Sequence, residues 1–340
     1  MTTTRGTRGD RTIPVAVLCN PRSGRVRRSL PEVRRRARRL AGHHYEEATE
    51  PGEIRGVLET WEDGDPARVL CVVGGDGTVQ AVLTALHALK PDPRSWPLLS
   101  VLPGGSTNMI AADLGTDGPL PRRLRALEAW GEEVGAKPGA VGEGVKNRTV
   151  RAVFLAEEAG GESFCGMFLG IGAVAEGVRF WEEHLKRFGL PETVTSPLVI
   201  GRILVSLLLD RETGRGMAPR VAWSLAQDTA GKDRLVFGFV STLHRLLLGT
   251  RPYWGEGSGA LHVTLVEQKA RRFWRNLPRL ARGRGGSRLT PENGYLSRNT
   301  DRVELGFHGP FIVDGELHRL EEDRSPLMVR ALEGVEWLVP

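Results

Sequence analysis

Three times in its first third the chain repeats one pattern: a short apolar run breaks into a loop of Gly, Ser, Thr and Asn, and helical character follows. Residues 12–20 (TIPVAVLCN) lead into Asn20-Pro21-Arg22-Ser23-Gly24 and the Arg-rich stretch Val26 to Leu40. Residues 68–73 (RVLCVV) lead into Gly74-Gly75-Asp76-Gly77-Thr78 and then Val79 to Leu89, apolar at helical spacing. Residues 97–102 (PLLSVL) lead into Pro103-Gly104-Gly105-Ser106-Thr107-Asn108 and a helix from Met109. Short aliphatic runs bounded by turn residues read as buried strands. Alternation of such strands with helices specifies an open parallel α/β sheet. Its strand-ending loops share one edge, and that edge is where such sheets bind ligands.

Around residues 131–149 (GEEVGAKPGAVGEGVKNRT) the composition turns polar and Gly-rich, the mark of a domain boundary. Beyond it strands dominate: RAVFLAE, ESFCGMFLGI, RVAWSLA, LVFGFVSTL, ALHVTLVEQ, RVELGFH and PFIVDGELH, with a helix expected over Ala173 to Phe188. The expected organisation is an α/β N-terminal domain with a parallel sheet over 1–145 and a β-rich, sandwich-like C-terminal domain over 146–325, with 326–340 able to pack back on the first.

Cys19, Cys71 and Cys165 stand far apart without a CxxC pair, which points away from a disulfide framework or zinc site and toward a reducing cytosol. Cys19 and Cys71 lie inside apolar runs and read as small core residues. The polar start carries no apolar signal core, and no run reaches the ~18–20 apolar residues of a spanning helix. A cytoplasmic protein with at most transient membrane association is therefore expected. The net charge of +6 suits an anionic partner, whether nucleotide, nucleic acid or anionic membrane.

Gly74 to Thr78 is the sharpest chemical signal. Paired glycines let backbone N–H groups approach phosphate oxygens, and the helix that follows presents an anion-favouring N-terminus. Asp76, a carboxylate among phosphates, makes sense where a metal ion or a proton transfer uses it. No GxxxxGK[ST] loop and no dinucleotide fingerprint is present. Late in the chain, Asp314-Gly315-Glu316 offers two carboxylates which, in a regular strand, would share a face.

In the order NPxSG, GGDGT and P-x-G-[ST]-x-N, followed by a β-rich half with a late Asp-Gly-Glu, the chain resembles the diacylglycerol kinase catalytic family, which includes sphingosine and ceramide kinases. The likeness spans about residues 12–320. It implies an ATP-dependent lipid kinase acting on diacylglycerol or a related membrane lipid, with ATP and Mg²⁺ as cofactors. It implies a nucleotide held between the domains by Asn20, Pro21, Arg22, Ser23, Gly24, Gly74, Gly75, Asp76, Gly77, Thr78, Val79 and Gln80. Thr49 in EEATEP matches a nucleotide-contacting threonine, and Ser106 stands where threonine is common. Glu316 maps to the proton acceptor, with Asp314 beside it. Asp76 would orient Mg²⁺ or the phosphates, and in some relatives it is itself the base. Gly104, Thr107 and Met109 depart from the commoner spelling of the third loop, and Ser258 replaces an aspartate that in bacterial relatives holds a structural Mg²⁺.

A bilayer-embedded acceptor calls for surface contact. Residues 269–284 (KARRFWRNLPRLARGR) combine basic residues with Phe273, Trp274 and Leu277, as interfacial segments do. Val26 to Leu40 is equally basic but reads as a solvated helix face. Leu198 to Leu209 and Leu243 to Leu248 read as core or as the lining of an acyl pocket. An NAD kinase-like phosphotransferase and a non-catalytic nucleotide or nucleic-acid binder are the alternatives. No nucleic-acid-binding signature is present, so no nucleic-acid partner is expected; a homodimer is compatible with the sequence.

Overall fold

The computed structural model describes residues 15–63, 68–135, 147–175, 218–225 and 229–340. The helix expected over 173–188 is thus described only at 173–175, and the apolar run 198–209 lies outside the described residues.

Strands β1 (Val15–Cys19), β2 (Tyr45–Glu47), β3 (Val69–Gly74) and β4 (Leu98–Pro103) form a parallel sheet in the order β2-β1-β3-β4. Both faces are buried, and residue parity divides them. Val15, Val17, Cys19, Val69, Cys71 and Val73 pack with Val33 and Ala37 of α2 (Leu30–Ala41) and Leu124 and Leu127 of α6 (Leu120–Gly135). Ala16, Leu18, Leu70 and Val72 pack with Ile54 and Leu58 of α3 (Pro51–Asp63) and Val82 and Leu86 of α4 (Asp76–Leu89). A strand exposes alternate side chains to opposite faces, so a sheet covered on both sides needs an unbroken apolar run. The cysteines at 19, 71 and 165 are all buried and free.

The basic stretch 26–40 is not one helix. It breaks at Ser29 into α1 (Gly24–Arg28) and α2, with Pro31 in the first turn of α2, where a missing N–H is tolerated. Part of its charge is committed: Arg34 pairs with Glu47 at 2.7 Å, and Arg36 with Glu128 at 2.6 Å and Glu32 at 3.0 Å.

The second half holds β6 (Val153–Glu157), β7 (Ser163–Gly166), β8 (Phe168–Gly172), β9 (Arg220–Leu225), β10 (Thr229–Ser241), β11 (Leu261–Glu267), β12 (Tyr295–Thr300), β13 (Arg302–Gly306), β14 (Gly309–Val313), β15 (Glu316–Leu320) and β16 (Leu327–Leu332). Every pairing among them is antiparallel. Strand β10 belongs to two sheets: Thr229–Arg234 pairs with β9, and Phe237–Ser241 pairs with β8 and β11. A strand shared in this way folds one sheet over the other. Phe154, Leu169, Val240, Val263, Val303, Phe311 and Val329 fill the interior between them.

The expected run ESFCGMFLGI likewise divides, at Met167. Its first part, β7, pairs with β6, and its second part, β8, with β10 and β14.

The tail splits between the two halves. β16 pairs with β6 and β13, whereas β17 (Glu336–Leu338) returns to the parallel sheet beside β4, and β5 (Arg148–Val150) pairs antiparallel to β17. The first sheet therefore draws residues from beyond 145, and only the end of 326–340 packs on it.

Helix α4 is the join. It packs on α3 and on β7, and Thr78–Leu83, Ala85 and Leu86 are all buried. A helix apolar on all sides belongs inside a molecule. One apolar cluster runs from Leu18 through α4 to Phe168 and Phe239, so the two halves share a core.

In α7 (Phe273–Ala281), Phe273 points into that core, 6.2 Å from Phe237 between ring centroids. The expectation of Phe273 as a surface aromatic is thus corrected: the inner face of α7 needs an apolar anchor. Leu277 is half-buried and Trp274 exposed. Leu243 is core, whereas Leu247 and Leu248 are exposed, so the run 243–248 does not act as one buried unit.

Candidate active site

The order β2-β1-β3-β4 reverses direction at β1, which makes the carboxyl ends of β1 and β3 the switch point of the sheet. The loops after β1, β3 and β4 meet there through their backbones. Arg25 N–H donates to Gly104 O at 2.8 Å, and Gly104 N–H to Gly74 O at 2.8 Å. A Cβ on Gly105 would stand 2.5 Å from Gly75 Cα, and one on Gly104 would stand 2.9 Å from Gly74 N. These glycines are therefore demanded by loop-against-loop packing before any ligand arrives.

Asn20 joins the first two loops. Its Oδ1 accepts from Arg22 N–H at 2.9 Å, closing a local turn, and its Nδ2 donates to Thr78 Oγ1 at 3.0 Å. An aspartate could accept the first bond but has no N–H to donate in the second. Asn108 does similar work in the third loop. In left-handed conformation (φ 51°), its buried amide accepts from Gly105 N–H and donates to Gly105 O, both at 2.7 Å.

Asp76 opens α4. Its Oδ2 accepts from Met109 N–H and its Oδ1 from Ile110 N–H, both at 3.0 Å. It thereby caps α5 (Met109–Leu114), whose first N–H groups lack helical partners. Burial pushes its carboxyl above the usual range, and the backbone donors from Ile110, Met109 and Asn108 pull it back.

The first N–H of α4 bonded within the helix is that of Val79, to Gly75 O at 3.1 Å. Helix geometry leaves the N–H groups of Asp76, Gly77 and Thr78 to other acceptors, an anion site by construction.

The late carboxylates arrive on a hairpin. Val313 pairs with Glu316, so Asp314 and Gly315 form a two-residue turn, with φ values of 47° and 93°. Positive φ at both positions is the type I′ turn favoured by Asp-Gly. The expectation that Asp314 and Glu316 share a strand face is therefore corrected: the turn sends them different ways.

Asp314 is buried (3% exposed) and plugs the break between β7 and β8, accepting from Met167 N–H and Phe168 N–H, both at 2.9 Å. Burial pushes its carboxyl well above the usual range, the Met167 donor opposes this, and the charge of Asp76 adds to the rise. Glu316 instead lies over the N-terminus of α4. A Cβ built on Gly77 would overlap Glu316 Oε1 and stand 2.8 Å from its Cδ.

The other expected residues sort by the same geometry. Pro21 to Gly24 lie at the same edge; Arg22 pairs with Glu50 at 2.8 Å on the surface, and Ser23 N–H closes on Asn20 O at 3.1 Å. Thr49 follows β2, and its N–H and hydroxyl both donate to Glu53 Oε2, at 2.8 and 3.0 Å, closing the start of α3. Ser106 is exposed at the tip of the third loop.

Val79 is corrected: at 1% exposure, with its N–H taken by Gly75, it faces the core. Gln80 is buried too, its amide donating to Thr84 Oγ1 at 3.3 Å. Helical periodicity turns these two away from the loop. Two residues without a place in the sequence reading emerge, Thr84, which accepts from Cys165 N–H of β7 at 3.0 Å, and Ile110 through its N–H on Asp76. Neither carries a local sequence signal, because each acts across the fold.

A hard cation asks for oxygen ligands. Among the described residues no cluster of three or more His, Cys, Asp or Glu forms a cage. Asp76 keeps lone pairs beyond the two it gives to α5, which fits an ion held mainly by phosphate oxygens.

Residues 14–135 match the family model of the diacylglycerol kinase catalytic domain. The motif resemblance thus holds, and the match is to a kinase domain. Two solved structures from Bacillus anthracis str. Sterne share the fold over nearly the whole chain. One, named a diacylglycerol kinase, is 17% identical with a TM-score of 0.62, covering 97% of this chain and 98% of its own. The other, provisionally so named, is 16% identical with a TM-score of 0.65 over the same shares. At these identities the likeness is one of fold. No curated protein gives a significant sequence match.

Proposed function

We propose, proceeding from the kinase likeness of residues 14–135, that this chain is an ATP-dependent lipid kinase that phosphorylates the hydroxyl of diacylglycerol or a related membrane lipid. The observation that carries the reading is the position of Glu316 against Gly77, at the N-terminus of the helix that opens with Asp76. A carboxylate there can take the proton of an alcohol as its oxygen attacks phosphorus, beside N–H groups suited to phosphate oxygens.

In this scheme the N–H groups of Asp76, Gly77 and Thr78, with the Asn20–Gly24 turn, hold the triphosphate. Ser106 and Thr49 border it. The acceptor hydroxyl forms a bond to the γ-phosphorus, the bond to the ADP oxygen breaks, and Glu316 receives the proton. Mg²⁺, when bound, neutralises phosphate charge; Asp76 is the carboxylate beside the phosphates that would meet it. Asp314 holds the hairpin and so positions Glu316 rather than reacting. Val79 and Gln80 orient α4 from within.

The test is turnover of purified protein with Mg-ATP and a panel of lipids in mixed micelles. Glu316→Gln is expected to lower kcat by about 10²–10⁴-fold, the usual worth of a general base, with the melting temperature unchanged. Phosphorylation of NAD but of no lipid, or full activity in Glu316→Gln, would overturn the proposal.

A further inference from the structure

Among the described residues, the exposed large apolar side chains are Val150, Leu247, Leu248 and Trp274. Leu247 and Leu248 form the tip of a short helical turn at 41% and 83% exposure, and Leu248 sits in left-handed conformation (φ 57°). A residue with a Cβ holds that conformation against its own steric preference. Leu246, behind them, packs on the core. The turn is tied to α7, because Arg251 N–H donates to Ala281 O at 2.9 Å. On α7, Leu277 packs on the same core and Trp274 stands outward at 38% exposure.

Charge surrounds these apolar tips. Residues 242–251 and 269–288 contain ten Lys and Arg and no Asp or Glu. Arg245, Arg251, Arg271, Arg272, Arg275 and Arg282 are exposed, and none pairs with a carboxylate among the described residues. The basic helix α2, by contrast, has carboxylate partners for Arg34, Arg36 and Arg39 and no exposed large apolar side chain.

The patch also connects to the candidate site. Arg245 N–H donates to Asp113 Oδ1 at 2.8 Å, and Asp113 ends the same α5 that Asp76 caps at its start. At ~1.5 Å per residue, the six residues of α5 set the foot of the leucine turn roughly 10 Å from Asp76.

We infer that the Leu247-Leu248 turn and the outer face of α7 form one docking surface for an anionic lipid bilayer, with both leucines and Trp274 entering the interface while the arginines meet headgroup charge. Paired apolar tips beside arginines that lack carboxylate partners fit that occupant better than nucleic acid, whose phosphates would meet the arginines and leave both leucines in water. The surface rests on the lipid-kinase reading for its purpose, not for its geometry.

The test is co-sedimentation of the full chain with phosphatidylcholine vesicles, with and without one-third phosphatidylserine. Wild type is expected to bind the anionic vesicles at low salt and to bind the neutral ones weakly. Leu247→Ser with Leu248→Ser should lower anionic-vesicle binding by about tenfold or more, and Arg271→Glu with Arg275→Glu by a similar factor. Arg28→Glu with Arg35→Glu, on the other basic surface, should leave it unchanged. Circular dichroism checks that each variant folds.

The inference falls if the leucine variant binds as wild type does, if the Arg28/Arg35 control loses as much, or if light scattering shows that the leucines instead join two copies of the chain. Duplex DNA binding that needs the arginines while vesicle binding ignores the leucines would also sink it. Vesicle binding is read without ATP. Loss of the lipid-kinase reading would therefore appear separately, as leucine-dependent docking by a protein that phosphorylates no lipid.

Discussion

Gly77 concentrates the chemistry of the site into one missing methyl group. It lies in the first turn of α4 with helical backbone, so alanine there is conformationally welcome and can add up to ~1 kcal/mol to the helix. The added Cβ would nevertheless occupy the place of the Glu316 carboxylate. Gly77→Ala is therefore expected to melt at or slightly above the wild-type temperature while phosphoryl transfer drops about a hundredfold or more. Parallel calorimetry and kinase assays check the split; an active Gly77→Ala protein would place Glu316 outside the chemistry.

Asp314 gives the opposite signature. It satisfies two buried N–H groups at the β7–β8 break, and each would cost about 1–3 kcal/mol if left bare. Alanine would also have to hold the left-handed turn position. Asp314→Ala should lose about 3–5 kcal/mol, seen as a large fall in the urea midpoint, with activity failing through the fold.

At the scale of elements, α4 carries the architecture. Its apolar residues at helical spacing were visible in VQAVLTALHAL, but that spacing alone suggested one buried face, not insertion between a sheet and a sandwich. Thr84 makes a polar bridge across that contact: its hydroxyl accepts from Cys165 N–H at 3.0 Å and donates to Gln80 O at 2.9 Å. Thr84→Val keeps the shape and strands the Cys165 N–H, at a cost of about 1–3 kcal/mol. At roughly 2–4 °C per kcal/mol for a chain of this order, the melting temperature should fall by several degrees. Amide exchange at Cys165 should quicken by more than at strands remote from α4. Unaltered exchange there would mean that the α4–β7 contact stands on apolar packing alone.

At the scale of the whole molecule, three histidines make stability depend on acid. Burial lowers the pKa of His87, His244 and His318 below the ordinary 6.5. His318 stacks on Phe311 and packs tilted against Phe164, with ring centroids 5.3 and 4.2 Å away. An imidazole with a lowered folded pKa takes its proton first in the unfolded chain. Its contribution is intact above 6.5 and is lost as the pH falls through the folded value. Asp76 and Asp314, whose carboxyls are raised, act in the other sense: their contribution is intact in acid and lost as the pH rises through their folded values. The histidine contribution to the melting temperature should therefore shrink as the pH drops from about 7 to 5, against the opposing carboxyls. His318→Phe should flatten part of that slope. A slope identical to that of wild type would show that His318 titrates alike in both states.

What the sequence determined by itself is local. Unbroken apolar runs dictated strands buried on both faces. Gly-rich breaks after them placed three loops on one sheet edge. These features follow from the backbone freedom of a few neighbouring residues and from the period of their apolar side chains. Tertiary structure decided the rest. It set Glu316 against Gly77, turned Asp314 inward to serve the bare amides of Met167 and Phe168, bound Asp76 to α5, and divided the tail between two sheets. Such contacts join residues far apart in the chain. No single pair selects them; the complementarity of the whole apolar core does, and each buried amide must then find its acceptor wherever that packing leaves one.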